Sequence, residues 1–429
     1  MNEQIRNRIA GINQGKVPKG YKKVLNSTVF EDYVETTFGE LFDFYGGLGI
    51  PRDQLSDNGY PYLHYGDMHR ESFTKVSVEQ YNELPKYDIK LSGNETFLLE
   101  DGDVVFLDAS EDLEGTSRSV MVDNPENAPF ISGLHTFIAR EKNDTLAKDY
   151  KQYITMTDYV KKQFMKLASG FKVYGLNRNS IKDIVFAYPP DKQEQQKIAE
   201  ILMKWDQAIA LQEKLIEKLE AQKKALMQEV FKSHSSWEEV NFSDIYSMAG
   251  EGGTPSTSNA KYYIDGDIPF VKIEHLSEKY VYKIDSFITD LGMKNSGAWL
   301  IPINSLLYSN GATIGEISIN RIPVTTKQGI LGIVPNEKVL TEFLYYLMQS
   351  SDFKNKIKAI TTKGTMPIAY LKDINNLKIK LPDIKQQTAI SEFLSKIDQS
   401  INLRSKKVSA LKLQQKSLMQ LLLTGIVRV

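Results

Sequence analysis

Polar side chains beside Gly-marked and Pro-marked turns are the residues of this sequence with the clearest chemical capability. In the second half they follow Gly252-Gly253 and accompany Gly311, Gly329 and Gly364. Hydroxyl, amide and ammonium groups on loops held by a rigid scaffold make the hydrogen bonds that read the edges of DNA base pairs. The candidate DNA-binding residues of this half are Thr254, Ser256, Thr257, Asn259, Lys261, Ser309, Asn310, Lys327, Gln328, Lys363 and Thr365.

The first half offers a looser set of the same kind, placed around GYPYLHYGDM, DGDVVFLDAS and the segment after LAKDYKQYITMTDYVKKQFMKLAS. For any single residue the competing interpretation is a solvated turn residue, and the second-half set is the stronger of the two. The three tryptophans are interpreted as core residues rather than as stacking platforms for bases. The candidates of the first half are Arg52, His64, Tyr65, Arg70, Ser110, Arg118, Ser169 and Lys172.

The motifs of an enzyme are missing from the sequence. An adenine methyltransferase needs an Asn/Asp-Pro-Pro-aromatic loop, whereas the prolines of YPPD at 188–191 stand in the wrong order. Neither a Walker loop nor a nucleophile elbow occurs. Of the five histidines only His64 and His69 are close in sequence, which makes no metal cluster. We therefore expect a non-catalytic protein that uses neither a cofactor nor a metal.

Length and composition bound the class of protein. A chain of 429 residues exceeds what one core usually organises, so two or more domains are expected. Cysteine is absent, which removes disulfides and thiolate chemistry and suits a reducing cytoplasm. The first fifteen residues have no apolar core of signal-peptide length, and the apolar run Leu421–Leu423 is too short to span a membrane. The expected location is the cytoplasm.

The net charge of −1 argues against a protein that holds DNA phosphates by itself, because such proteins are usually basic. The charge is uneven, however. From Ala369 to Val429 eleven Lys and Arg residues stand against four acids, whereas Glu100 to Glu126 holds nine acids and one arginine. This pattern favours local DNA contacts, with a partner supplying much of the phosphate binding.

One long internal repeat organises the chain. The 39 residues that begin at Pro190 can be laid over those that begin at Pro382, and 18 positions are then identical without gaps. Each copy starts with Pro-Asp, which predicts a helix start because the aspartate can accept hydrogen bonds from free backbone N–H groups. Apolar residues follow at spacings of four and three, the pattern of a helix that pairs with another helix.

We predict that these two helices pair with each other. Polar interruptions fall at Gln212 and Lys223 in one copy and at Arg404 and Gln415 in the other. In the antiparallel register that we predict, Gln212 faces Gln415 and Lys223 faces Arg404. The predicted seam comprises Trp205, Ile209, Gln212, Ile216, Leu219, Lys223 and Leu226 with Ile401, Arg404, Val408, Leu411, Gln415 and Leu418.

A β-rich stretch with many turn signals precedes each helix. Both stretches run through short alternating apolar strands, an amphipathic helix, a Gly-containing turn and a Lys-Asp-Ile strand. The chain is therefore predicted to be a tandem duplication of a domain and a helix. The predicted boundaries are 1–188 for the first domain, 189–235 for the central spacer helix, 236–380 for the second domain and 381–429 for the C-terminal spacer helix.

Three segments carry a resemblance to a known family. GGTPSTSNAKYY with GDIPFVKIEHL, YSNGATIGEISI at Tyr308–Ile319, and YPPDKQEQQKIAEIL at Tyr188–Leu202 resemble elements of type I restriction–modification specificity subunits. The resemblance covers the chain from about Val29 to Gly425. The first domain departs most, because it has Gly46-Gly47-Leu48-Gly49 in place of Gly-Gly-Thr-Pro, and Gln386 replaces the family's Glu at the second helix start.

The resemblance implies an α+β fold: two β-rich target recognition domains in tandem, separated by two long helices that form an antiparallel coiled coil. It also implies that each domain reads one half of a split double-stranded DNA target and that the helices set the gap. Two methyltransferase subunits would dock on the helices, and restriction subunits would attach through them. The alternatives are a coiled-coil adaptor that presents two β-rich modules to protein partners and, behind it, a methyltransferase in its own right.

Overall fold

The computed structural model describes residues 3–70, 74–77, 84–170, 172–232, 236–311, 313–362, 364 and 367–429. Its contacts divide the chain into two compact units. The first unit joins Met1–Leu211 to Lys407–Val429, and the second unit is Gln212–Lys406. Each unit holds one β-rich domain and a stretch of both long helices. The boundaries predicted from the sequence concern the domains themselves and stay a prediction.

The two long helices are Lys192–Val230 and Ile384–Leu423. The aspartate before each one caps it as predicted: Asp191 Oδ1 accepts from the N–H of Gln193 at 2.9 Å, and Asp383 Oδ1 accepts from the N–H of Gln386 at 2.8 Å. Gly425 follows the end of the second helix at Leu423, and its φ of 69° is the left-handed conformation that glycine adopts after helices.

A five-stranded sheet forms the centre of the domain in each unit. In the first unit its strands, in spatial order, are Phe42–Gly46, Thr136–Glu141, Val104–Leu107, Ser119–Asp123 and Lys75–Ser77. In the second unit they are Tyr246–Glu251, Ile330–Pro335, Leu306–Ser309, Ile317–Asn320 and Tyr280–Val281. In both sheets the last two strands are parallel and the other neighbours antiparallel. The predicted duplication and α+β class are confirmed.

A three-stranded sheet accompanies each central sheet, and its strands follow the same spatial order in both units. Its strands are Ile131–Ser132, Tyr60–Leu63 and Lys86–Tyr87 in the first unit. They are Thr325–Thr326, Ile268–Val271 and Phe287–Ile288 in the second unit. The remaining two-stranded pairs are Tyr21–Val24 with Ser27–Phe30, Val34–Thr37 with Val185–Tyr188, Ala109–Ser110 with Tyr174–Gly175, and Glu238–Asn241 with Lys378–Leu381.

The shorter helices lie in the domains and at the amino end. Among the described residues they are Glu3–Asn13, Phe38–Leu41, Tyr65–Arg70, Asp158–Leu167, Arg178–Ile181, Asp290–Lys294, Thr341–Gln349, Ser351–Ile360 and Leu371–Ile374. No helix in the described part of the chain has an apolar stretch of membrane-spanning length.

Each domain shares its largest core with the helix stretches of its own unit. In the first unit Ile198 and Leu202 are buried with Leu422 and Leu423 among the aromatic residues of the domain. In the second unit the buried Leu394 belongs to the core of that domain, and Leu226 packs against the same core. Burial of this apolar surface fixes the helix start relative to the domain that precedes it.

A buried glutamine in the first turn of each long helix adds polar contacts to this anchor. Gln195 donates to Pro189 O at 2.8 Å and accepts from the N–H of Ala147 at 2.6 Å. The equivalent Gln387 donates to Pro382 O at 3.0 Å and accepts from the N–H of Leu340 at 2.9 Å. Both amides satisfy backbone groups that would otherwise be buried without partners.

The helix stretches run antiparallel within each unit, but the predicted register is wrong. In the first unit Gln415 donates to Asp206 at 2.6 Å, and in the second unit Lys223 pairs with Asp398 at 2.6 Å. These observed partners lie six residues earlier than the predicted ones. Arg404 donates to Gln212 at 3.0 Å, so the predicted pairing of Lys223 with Arg404 is absent among the described contacts.

The observed register has an electrostatic cause. The prediction counted only polar residues inside the apolar seam and overlooked the aspartates at 206 and 398, which flank it. A carboxylate beside Gln415 or Lys223 gives a charge-assisted hydrogen bond, whereas Lys223 beside Arg404 would place like charges together. The thirteen seam residues predicted from the sequence are all at least partly buried.

Candidate nucleic-acid interface

Four loops of the second unit meet at one edge of its central sheet. The N–H of Gln328 donates to Thr254 Oγ1 at 3.2 Å, which joins the loop after Glu251 to the loop before Ile330. The N–H of Asn310 donates to Gly329 O at 3.0 Å, and the N–H of Ala369 donates to Asn310 O at 2.9 Å. These bonds gather the four predicted candidate loops into one surface, which we call the second loop edge.

Two glycines allow the loops to approach so closely. A Cβ atom on Gly252 would lie 2.1 Å from the carbonyl oxygen of Thr326, and one on Gly253 would lie 2.4 Å from the backbone nitrogen of Ala298. Any side chain at these positions would collide with backbone, so Gly-Gly is a packing requirement here. The hydroxyl and amide groups that follow are held on a fixed turn: Ser256 and Ser258 share a hydrogen bond of 2.8 Å.

The predicted residues of the second unit differ in exposure. Ser256, Thr257, Lys261, Lys327 and Gln328 are exposed, and Thr254 and Asn259 are half-buried. Ser309 and Asn310 are enclosed, at 0% and 1% exposure, and the Asn310 amide donates to Ala369 O at 3.2 Å. Lys363 and Thr365 lie outside the described residues.

The first unit builds the same edge from different side chains. The N–H of Asp108 donates to His135 O at 3.1 Å, and the N–H of Leu176 donates to Asp108 O at 2.8 Å. These bonds repeat the pattern of Asn310, so Asp108 stands where Asn310 stands and His135 where Gly329 stands. We call this surface, formed by the loops around residues 47–49, 108–110, 133–135 and 169–176, the first loop edge.

Gly47 takes the place of Gly252 at the first loop edge. A Cβ atom on Gly47 would lie 2.1 Å from the carbonyl oxygen of Gly133, the counterpart of the collision at Gly252. The departure of this domain from Gly-Gly-Thr-Pro therefore preserves the close approach that the glycines provide.

Two groups of first-half candidates lie on or near this edge. The ring of Tyr65 meets that of His135 edge-on, with centroids 5.2 Å apart, and Arg52 pairs with Asp67 at 3.0 Å. Ser169 and Lys172 are exposed, and the N–H of Ser169 donates to Gly175 O at 3.1 Å.

The remaining first-half candidates have structural partners or lie elsewhere. His64 is 5% exposed and accepts from the N–H of Gly66 at 3.0 Å, and burial lowers its pKa. Ser110 is 2% exposed and donates to Asp112 O at 2.7 Å. Arg70 ends the helix Tyr65–Arg70, and its side chain lies outside the described structure.

Arg118 lines a separate cleft of the first unit. It donates to Met68 O at 3.1 Å, and the same cleft is lined by Lys161, Lys162 and Lys416 as well as by acidic residues. Burial lowers the pKa of Lys161, and the neighbouring Lys416 lowers it further. Arg118 is therefore not gathered with the loop-edge candidates.

Asp108 and His135 were not among the residues predicted from the sequence. His135 has a φ of 59°, in the left-handed region that Gly329 also occupies with a φ of 91°. The sequence carries no clear signal for this equivalence, because ISGLHTFIAR at 131–140 and TTKQGILGIV at 325–334 share no identical residue, and it is the matching backbone bonds that place His135 on Gly329. Within the described ranges, no group of three or more His, Cys, Asp or Glu side chains is placed to hold a metal ion.

Comparison with known proteins gives two matches to one sequence family. The family described as Type I restriction modification DNA specificity domain matches residues 30–221 and again residues 234–413. The type I restriction enzyme MjaIX specificity subunit of Methanocaldococcus jannaschii is 30% identical over 182 residues, which are 42% of each chain. The MjaVIII specificity subunit of the same organism is 24% identical over 445 residues, covering 96% of each chain.

Solved structures of low identity share the fold. The type I restriction–modification S subunit from M. genitalium has a TM-score of 0.53 at 17% identity and covers 95% of this chain and 98% of its own. A chain from a structure described by complex assembly and conformational transition of the type I R-M system has a TM-score of 0.57 at 15% identity, with coverages of 96% and 100%. Both likenesses extend over the whole duplicated architecture.

Proposed function

The chain belongs to the type I restriction modification DNA specificity family, and from that premise we propose that its two recognition domains read the two halves of a split DNA target. One observation carries the proposal: the same loop edge is built twice, with equivalent backbone bonds around Asn310 and Asp108. Equivalent frames with different side chains are what two readers of two different sequences require, because base choice depends on the side chains that the frame presents.

Exposure decides which candidates we assign to base edges and phosphates. At the second loop edge these are the exposed or half-buried residues Thr254, Ser256, Thr257, Asn259, Lys261, Lys327 and Gln328. At the first loop edge we assign Arg52, Tyr65, Ser169 and Lys172. The buried His64, Ser110, Ser309 and Asn310 support the loops, because enclosed side chains cannot reach a base without a rearrangement. Lys363 and Thr365 keep the assignment that the sequence suggested.

The paired helices would set the length of the unread gap between the half-sites. At a rise of about 1.5 Å per residue, helices of 39 and 40 residues are each longer than one DNA turn, which is roughly 34–36 Å. Gln195 and Gln387 attach the start of each helix to the domain that precedes it, so each domain is held at a fixed point on its helix.

We assign the outer faces of the helices to two methyltransferase subunits. Leu211 is 57% exposed and Leu403 is 72% exposed, and the repeat places these two leucines at equivalent positions. One exposed leucine is ordinary, but its duplication at equivalent positions of the repeat suits one contact for each copy of a partner. Restriction subunits would join through the methyltransferases, and the near-zero net charge leaves phosphate binding to these partners.

In this proposal the chain itself is non-catalytic and acts in the cytoplasm with its partners. DNA binding by the chain alone and by its complex with two methyltransferase subunits tests the assignment. The expected result is weak, sequence-independent binding by the chain alone and a footprint of two protected patches with an unprotected gap for the complex. Equal sequence-specific affinity in both preparations would reject the division of labour, and a single continuous patch would reject the two-reader arrangement.

A further inference from the structure

The two loop edges differ at one equivalent position in the exposure of the side chain. In the second unit Asn310 is enclosed, and in the first unit the side chain of Asp108 is 42% exposed and that of its partner His135 is 45% exposed. Asp108 Oδ1 and His135 Nδ1 are 2.9 Å apart. The backbone bonds around both positions are the same, so the difference lies in the side chains and in what they can meet.

The Asp108–His135 pair is oriented by its surroundings. The left-handed φ of 59° fixes the backbone of His135, and the ring of Tyr65 packs edge-on against its imidazole at 5.2 Å. One carboxylate oxygen of Asp108 is occupied by the imidazole, which leaves the second oxygen to accept a hydrogen bond from a ligand. Both side chains are therefore presented in one arrangement rather than as free surface charges.

The pair opens onto a cleft that is lined in part by glycines and in part by larger side chains, among them Leu134 and Arg178. Gly46, Gly47 and Gly49 form part of its lining together with Asp108, His135 and the start of the helix Arg178–Ile181. Three glycines leave room for a flat group to approach the carboxylate. The second loop edge has no carboxylate at the equivalent position, because residue 310 is an asparagine, and its amide is enclosed.

A carboxylate on a DNA-facing edge is repelled by phosphates, so its position there points to a contact with a base. It gains free energy only where it meets a hydrogen-bond donor of the DNA, and in the major groove those donors are the exocyclic amino groups, N4 of cytosine and N6 of adenine. The neighbouring imidazole can donate to the nearby acceptor atom, which is N7 of the same base for adenine and O6 of the paired guanine for cytosine. We propose that the Asp108–His135 pair reads one amino-bearing base, cytosine or adenine, of the half-site recognised by the first domain.

This inference rests on the proposed function and adds the chemistry of one contact to it. Asp108 is the reading residue. His135 is a positioning residue, which holds the carboxylate and adds a donor. The described residues of the second domain hold no counterpart of the pair, so the effect is expected at one half-site only.

The test is an analogue scan with the complex of the full chain and its methyltransferase subunits. Each adenine of the first half-site is replaced by 2-aminopurine, and each cytosine by 2-pyrimidinone, so that the major-groove amino group is removed. Binding of each duplex is measured for the wild type, for Asp108→Ala and for Asp57→Ala, an exposed aspartate of the same unit that serves as the control. Asp108→Ala leaves the backbone bonds of residue 108 intact.

The expected result is one position at which the analogue weakens wild-type and control binding by on the order of tenfold. Asp108→Ala is expected to bind the natural duplex with a similarly reduced affinity, and the analogue is expected to reduce the affinity of this variant no further. Asp108→Ala is expected to discriminate at the second half-site as well as the wild type does, and this measurement serves as the folding control. His135→Asn, which tolerates the left-handed conformation, is expected to lose part of the same discrimination.

Equal analogue sensitivity of the wild type and Asp108→Ala at every position would overturn the inference while leaving the proposed function in place. Loss of discrimination at both half-sites in Asp108→Ala would overturn it as well, because the residue would then be structural. A wild-type complex without any sequence preference would overturn the proposed function itself.

Discussion

Gln415 donates a hydrogen bond from Nε2 to Oδ1 of Asp206 at 2.6 Å, and the other oxygen of the same carboxylate accepts from the hydroxyl of Tyr153 at 2.6 Å. The aspartate thus connects the two helix stretches of the first unit and ties both to its domain. The repeat reproduces the arrangement in the second unit, where Asp398 accepts from Tyr346 at 2.6 Å and pairs with Lys223.

Gln415→Leu is expected to destabilise the protein by about 1–3 kcal/mol, because it leaves one oxygen of a half-buried carboxylate without its donor. Urea unfolding measures the change, with Gln414→Leu, an exposed neighbour on the same helix, as the matched control. A double-mutant cycle with Asp206→Asn should show coupling between the two positions. A neutral or stabilising Gln415→Leu would mean that the bond contributes nothing to the helix pair.

The pH dependence of stability should carry the signature of Asp206. Burial raises the pKa of this carboxyl, although hydrogen bonds from Tyr153 and Gln415 partly oppose the shift. The folded state therefore holds the proton more tightly than the unfolded state. That stabilisation is full below the ordinary pKa of aspartate and is lost as the pH rises through the raised folded value.

Asp206→Asn removes this titration. Its free energy of unfolding relative to the wild type should therefore increase between the ordinary and the raised pKa and then level off. Urea unfolding at a series of pH values checks the trend, and Asp57→Asn, an exposed carboxylate of the same unit, is the control. A difference that stays flat or falls across this window would contradict the assignment of the buried proton to Asp206.

Lys327→Ala should weaken reading of the second half-site only, because this exposed side chain lies on the second loop edge. Loss of a base contact should cost about 1–3 kcal/mol of binding free energy, and loss of a phosphate contact should reduce the salt dependence of binding. Both quantities are therefore measured. Lys338→Ala is the matched control, since Lys338 is an exposed lysine that follows the opposite end of the strand Ile330–Pro335. Equal loss at both half-sites would exclude a local contact.

Leu211→Lys and Leu403→Lys should each release one methyltransferase subunit, and the double variant should release both. A charged side chain in an apolar contact costs free energy because it must be desolvated. Mass measurement of the purified complex gives the stoichiometry. Leu300→Lys changes a leucine of the second domain that is 52% exposed, and serves as the control. If the double variant still binds two methyltransferase subunits, these subunits contact the chain at sites other than the two leucines.

The duplication and both long helices could be predicted because 18 identical positions and the Pro-Asp starts are local sequence signals. The helix register could not, because it depends on Asp206 and Asp398, which lie beside the seam and whose partners are set by the domains. The site was predicted at the level of loops. Asn310 was taken for a reader because nothing in a Gly turn shows that its amide bonds Ala369, and Asp108 was passed over because its equivalence appears only in the sheet.

The most direct test of the central claim is a map of methylated sites produced by the reconstituted complex on random-sequence DNA, for the wild type and for Asp108→Ala and Lys327→Ala. Two independent readers predict a motif of two specific blocks with a gap of fixed length, in which each variant relaxes only the block of its own domain. A single continuous motif, or relaxation of both blocks by either variant, would contradict the account.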